Sequence, residues 1–141
     1  MKLLSVAIPC YNSEKYMKKC IDSLLVGGED VEIIIVDDGS AGDRTAEIAD
    51  EYAAEYPSVV KALHKKNGGH GSAVNAGIQA ASGLYFKVVD SDDWVKKDAF
   101  LQVLDTLREF AGGAHVLDML VCNFVYEKEG EKRRKVMHYR H

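Results

Sequence analysis

At positions 88–95 the chain reads VVDSDDWV, which sets Asp90, Asp92 and Asp93 within four residues directly after an apolar run. Carboxylates about 5 Å apart in an effective dielectric of about 20 repel one another by roughly 3 kcal/mol per pair. A bound cation, a helix N-terminus or solvation must compensate. A helix start absorbs one carboxylate against its dipole but not three, and Asp98 is the better cap for the helix expected downstream. A Mg²⁺ or Mn²⁺ ion held by one or two of these carboxylates, with waters and a substrate diphosphate completing six oxygen ligands, fits the cluster better. An Asp-x-Asp triplet has little weight alone in a chain with 22 acidic residues. Its place at the end of a buried strand is what makes it informative.

Three other stretches carry residues suited to chemistry. In IIIVDDGS, Asp37 and Asp38 follow a strand: one carboxylate can organise the turn, and the other can accept a hydrogen bond from a ligand such as a nucleobase imide. In IPCYN, Tyr11 either stacks on a base or anchors its loop to the core. NGGHGSAVNAG imitates a dinucleotide fingerprint, but Val74 stands where the third glycine belongs, and no GxxxxGK[ST] is present. The glycines let the backbone approach a ligand at a helix N-terminus. His70, inside that loop, is expected to face solvent rather than a phosphate, and the basic run 132–135 is expected to be a solvated strand end.

These stretches must be positioned by alternating strands and helices. Apolar runs over 3–8, 31–37, 59–64 and 84–89 read as strands, the first stopped by Pro9 and the second β-branched and nearly continuous. Between them, Met17, Cys20, Ile21 and Leu24 recur at helical spacing after a Ser13 cap, and Asp43 caps a second helix. A small-residue helix is expected over 73–81, and Asp98 caps a fourth that carries Phe100, Leu104 and Leu107. The rhythm implies an α/β fold: a doubly wound, mainly parallel sheet with helices on both faces. A C-terminal β-hairpin over 116–139 is expected to follow. In such a sheet, ligands sit outside the carboxyl ends of the strands, where the strand order reverses. All four acidic or glycine-rich stretches fall at that edge.

The bulk composition narrows the classes. A chain of 141 residues, 47% hydrophobic and 28% charged, is expected to form one globular domain over 1–141. A net charge of −4 gives no electrostatic case for nucleic acid. The apolar runs are too short to span a bilayer, and the N-terminal run reaches Pro9 too soon for a signal peptide. Three cysteines without metal-ligand spacing read as reduced thiols in a cytoplasmic protein.

Taken together, SVAIPCYNSEKYMKKCIDSLL, VEIIIVDDGS, NGGHGSAVNAGI and GLYFKVVDSDDWV resemble the family 2 glycosyltransferases, inverting enzymes of the GT-A fold, in order and spacing over residues 3 to about 96. The resemblance implies transfer of a sugar from a nucleotide diphosphate donor, usually UDP-linked, to a hydroxyl of a saccharide or lipid-linked acceptor. It implies cell-surface polysaccharide synthesis in the cytoplasm, with the full-length protein at the inner membrane surface. By the same resemblance Pro9, Tyr11 and Glu14 line the nucleoside pocket, Asp38 binds the base and Asn67 lies near the nucleotide. Asp90 contacts the ribose or a metal-bound water, with Ser91 beside it among the donor-binding residues. Asp92 is the metal ligand for Mn²⁺ or Mg²⁺, and Asp93 orients the loop or the sugar. The ion would neutralise charge on the departing diphosphate.

Two departures from the family pattern stand out. Val74 occupies a place where the family often has an arginine, leaving Lys65 or Lys66 as substitutes. The family's general base, an acceptor-side Asp, normally lies well beyond His141, and Asp105 and Asp118 fall in helix-like and strand-like segments. The chain is therefore expected to be the donor-binding half of a longer enzyme, inactive alone. The alternative is a nucleotide-binding module without turnover. A receiver-type signalling domain would carry its acidic pair directly after the first strand, where PCYN stands.

Overall fold

A computed structural model describes residues 2–112 of the chain and, in backbone alone, 124–126 and 135–137. Strands β1 (Leu4–Cys10), β2 (Val31–Asp37), β3 (Val60–His64) and β4 (Tyr85–Val88) form a parallel sheet in the order β3-β2-β1-β4. Helices α1 (Met17–Leu25), α2 (Thr45–Glu55) and α3 (His70–Ala80) connect them, and α4 (Lys97–Gly112) follows β4. This is the doubly wound α/β arrangement that the sequence rhythm predicts. Phe124–Tyr126 and Lys135–Met137 pair antiparallel; the rest of the expected hairpin lies outside the described residues.

The two faces of the sheet are packed differently. Ile33 and Ile35 join Met17, Ile21 and Leu24 of α1, Ile48 of α2 and Leu104 of α4 in one large core. Ile34 and Val36 point the other way, onto Ala73, Ala76 and Ala80 of α3. β2 is therefore buried on both faces, as a continuous β-branched run requires. Small side chains let α3 lie close to the sheet, which carries its first turn to the carboxyl ends of the strands.

The opposite edge is closed by a buried carboxylate. Glu32, 2% exposed, accepts from Ser5 Oγ at 2.7 Å and from Ser82 N and Ser82 Oγ at 2.9 Å each. Lys61 Nζ pairs with it at 2.7 Å. Burial alone would raise this carboxyl, yet Lys61, Ser82 and Ser5 together bring it down to about 2.

Several boundaries differ from expectation for physical reasons. Pro9 does not stop β1, which continues to Cys10. Ala7 O accepts from Val89 N, whereas Cys10 O accepts from Asp38 N. By that alternation the missing Pro9 donor faces β4, which has already ended at Val88. Ser13 does not cap α1 with its side chain; the Ser13 carbonyl instead accepts from Tyr16 and Met17 in a preceding turn. Asp43 takes the Thr45 N–H at 2.9 Å, so it serves the start of α2 from one residue before the cap position. α3 begins at His70, three residues before its first buried alanine. α4 begins at Lys97, so Asp98 sits in its first turn rather than at its cap.

Candidate functional site

The loops after all four strands converge on a cavity of about 470 Å³ at the carboxyl edge, where strand order reverses between β1 and β4. Its lining includes Pro9, Tyr11, Asp38, Asn67, Asp90, Ser91 and Asp92. Glu14 is not among the lining residues; its backbone N–H donates to Asp43 Oδ2 at 3.0 Å. Asp93 is likewise outside the lining, although its carboxylate stays near those of Asp90 and Asp92.

The acidic loop is held as a unit. Asp93 N donates to Asp90 O at 3.0 Å, closing a turn. Cys20 Sγ reaches Asp90 O at 3.5 Å, Ser23 Oγ accepts from Val95 N at 3.1 Å, and Lys19 lies 3.6 Å from the Trp94 ring centroid. α1 thus fastens the loop from below. Ser91 Oγ donates to Ser13 Oγ at 2.9 Å, tying the loop to the turn after β1. One ligand atom from each of Asp90, Asp92 and Asp93 lies within 4.8 Å of the others. Three hard carboxylate oxygens so close together match the donor set that Mg²⁺ or Mn²⁺ prefers.

The pair Asp37 and Asp38 divides into two structural tasks. Asp37 Oδ1 accepts from Ser40 N at 2.9 Å and organises the turn. Its Oδ2 lies 2.9 Å from His64 Nδ1, while His64 Nε2 lies 2.7 Å from Asp50 Oδ1. Asp37 first, and Asp50 with it, raise the His64 pKa above its ordinary value. Asp38, 3% exposed, turns towards the glycine loop. Its Oδ1 accepts from Lys65 Nζ at 2.8 Å and Gly68 N at 3.0 Å. Its Oδ2 accepts from Gly69 N at 2.9 Å and, more weakly, from Asn67 Nδ2 at 3.5 Å. Burial opposes ionisation, but the Lys65 ammonium and the two glycine N–H groups hold Asp38 below the usual carboxylate range.

Glycine is required at two points in this clamp. Gly39 has φ +74°, and a Cβ there would stand 2.6 Å from Asn67 N. Gly69, at φ +93°, turns the loop into α3. Lys65 also donates to Lys66 O at 2.7 Å, so it is committed to the loop rather than extended towards a ligand.

Tyr11 is 55% exposed, so its ring is not an anchor in the core. Asn12 adopts φ +48°, accepts from Gly42 N at 3.0 Å and donates its own N–H to Ser40 Oγ at 2.9 Å. It lines the cavity with Ser13 and Tyr16, none of which the sequence reading placed in the site. An asparagine in the turn just past a strand is the available signal, since asparagine tolerates the left-handed region. His70 also lines the cavity, with Nε2 3.1 Å from Asp90 Oδ1, instead of facing solvent alone. Cys10 and Cys20 are free and buried, and burial pushes the Cys10 thiol up to about 12.

Of the two aspartates weighed as a general base, Asp105 sits on α4 and accepts from Arg108 at 2.8 Å, away from the cavity lining. Asp118 and Cys122 lie outside the described residues. His141 lies outside them as well.

The family model for glycosyl transferase family 2 matches residues 5–138. The chain belongs to glycosyl transferase family 2. It is similar to the "Uncharacterized glycosyltransferase EpsJ" of Bacillus subtilis, at 38% identity over 95% of this chain and 37% of that protein. Similarity to the "Minor teichoic acid biosynthesis protein GgaB" of the same species is 38% over 74% of this chain and 12% of that protein. The crystal structure of S. aureus TarS 1–349 in complex with UDP superposes with a TM-score of 0.67, at 30% identity, covering 79% of this chain and 33% of that one. The family 2 chain thus spans about a third of EpsJ's length. No helix among the described residues is long and apolar enough to cross a membrane.

Proposed function

We propose that this chain binds a nucleotide-diphosphate sugar, with UDP as the nucleotide, and presents it for inverting transfer to an acceptor hydroxyl. The observation that carries the reading is the convergence of Tyr11, the Asp38–Asn67 clamp and the Asp90–Asp92 turn on one cavity at the strand switch point. The UDP complex of TarS supports the choice of nucleotide. Tyr11 stacks on the base from its exposed position, and Pro9 forms the floor beside it. Asp38 accepts the base N–H in place of the weak Asn67 bond, keeping its three shorter bonds to the loop. Asp90 meets the ribose, and Ser91 holds the turn in place through Ser13.

Mg²⁺ or Mn²⁺ would be held chiefly by Asp92, with Asp90 and Asp93 adjacent. When bound, the ion supplies Lewis-acid neutralisation of charge on the departing diphosphate. The similarity to GgaB, named for minor teichoic acid biosynthesis, supports a saccharide or lipid-linked acceptor.

Isothermal titration with UDP tests the reading. Affinity should rise at least tenfold when Mn²⁺ replaces EDTA, and Asp92→Asn should remove that gain without altering the circular dichroism spectrum. Equal weak heats with and without Mn²⁺ in the wild-type chain would refute metal-assisted donor binding.

A further inference from the structure

The cavity must accept a polyanion although Asp38, Asp90 and Asp92 already line it. No lysine or arginine is in that lining, and His70 is its one basic side chain among the described residues. Lys65, close in sequence, is committed to Asp38 Oδ1 at 2.8 Å and to Lys66 O at 2.7 Å. His70 is placed differently. It opens α3, whose first turn also contributes Ala73 to the lining. The helix dipole there favours a negative ligand.

The His70 Nε2 atom lies 3.1 Å from Asp90 Oδ1, with the two side chains 66% and 53% exposed. A carboxylate only accepts, so Nε2 carries the proton and donates. A pair this exposed is weak and exchanges easily for a better acceptor. A diphosphate oxygen is such an acceptor: its hydrogen bond is as charge-assisted as the one to the carboxylate, and the start of α3 adds a dipole and backbone N–H groups that favour a phosphate there. We propose that His70 is a donor-binding residue whose Nε2–H passes from Asp90 to an oxygen of the nucleotide's diphosphate. Asp90 holds the ring in readiness and is released for the ribose when the nucleotide arrives. The inference rests on the nucleotide-sugar reading above and adds to it the group that meets the phosphates.

NMR and calorimetric titrations with UDP and with uridine, in Mn²⁺ buffer, test it on wild type, His70→Ala and His70→Gln. Wild type should bind UDP more tightly than uridine. His70→Ala should weaken UDP binding about tenfold or more and leave uridine binding unchanged or slightly tighter, since Asp90 is then already free for the ribose. His70→Gln keeps an N–H donor at similar reach and should recover most of the UDP affinity. Unchanged UDP affinity in His70→Ala would overturn the inference. An equal loss for UDP and uridine would overturn it too, because that pattern marks a loop that has merely shifted. A wild-type chain that binds no UDP would instead sink the nucleotide reading itself, and the wild-type titration tells the two failures apart.

Discussion

Adjacent carboxylates can have unrelated duties when a strand's end separates them. Asp37 turns towards His64 and Asp50 of α2, whereas Asp38 turns towards the glycine loop before α3. Strand alternation sends successive side chains to opposite faces, so the two belong to different neighbourhoods. Asp38→Asn keeps the shape but replaces one acceptor oxygen with a donor group, facing Lys65 or a glycine N–H. Amide exchange at Gly68 and Gly69 should then accelerate, and UDP affinity should fall about tenfold. Asp37→Asn should leave both glycine amides protected. Equal protection in Asp38→Asn and wild type would show that the clamp does not hold the loop. From the local pattern either aspartate suits either role, and only the family resemblance singles out Asp38 for the base. The deciding facts are long-range bonds to residues 64–69, which no local pattern contains.

At the scale of elements, legibility followed burial. β2 was readable from end to end because both of its faces are buried, leaving an uninterrupted β-branched run. Pro9 predicts too early an end for β1, since whether a proline ends a strand depends on which neighbour its missing donor faces. The start of α3 is not legible because its first turn faces the cavity and carries no apolar signal, only His70, Gly71 and Ser72. The site's glycine and acidic loops were legible for the same reason, as polar interruptions at regular strand ends. Two element junctions make stability depend on pH in opposite directions. Glu32 titrates near 2 rather than at the ordinary 4.5. Its stabilising network is therefore intact above about 4.5 and is lost as pH falls towards 2. His64 is raised above 6.5 by Asp37 and Asp50. Its contribution is complete below that value and disappears as pH rises through the higher folded pKa. Urea midpoints measured across this range should fall on both sides. Glu32→Gln should flatten the acid limb, and His64→Gln should flatten the upper one. A variant that retains its limb would assign that slope to other groups.

Across the whole molecule, the two edges of one sheet hold charge on different terms. At the amino edge Glu32 is met by a lysine ammonium, two hydroxyls and a backbone N–H, so this carboxylate favours the folded chain. At the carboxyl edge, Asp90, Asp92 and Asp93 crowd within 4.8 Å of one another. On the metal reading proposed above, their mutual repulsion would disfavour folding and a bound cation would relieve it. Stability and the proposed metal binding would then compete at this edge. Thermal unfolding in EDTA should show Asp92→Asn melting about 2 °C above wild type, a modest gain because the carboxylates are partly solvated. Adding Mn²⁺ to one hundred times its dissociation constant should reverse the order, since mass action then stabilises wild type by about 2.7 kcal/mol. Glu32→Gln should behave oppositely, melting lower than wild type in EDTA while keeping its full Mn²⁺ response. If Asp92→Asn melts below wild type in EDTA, or gains as much from Mn²⁺, the carboxyl-edge cluster is not where the ion and the fold are in conflict.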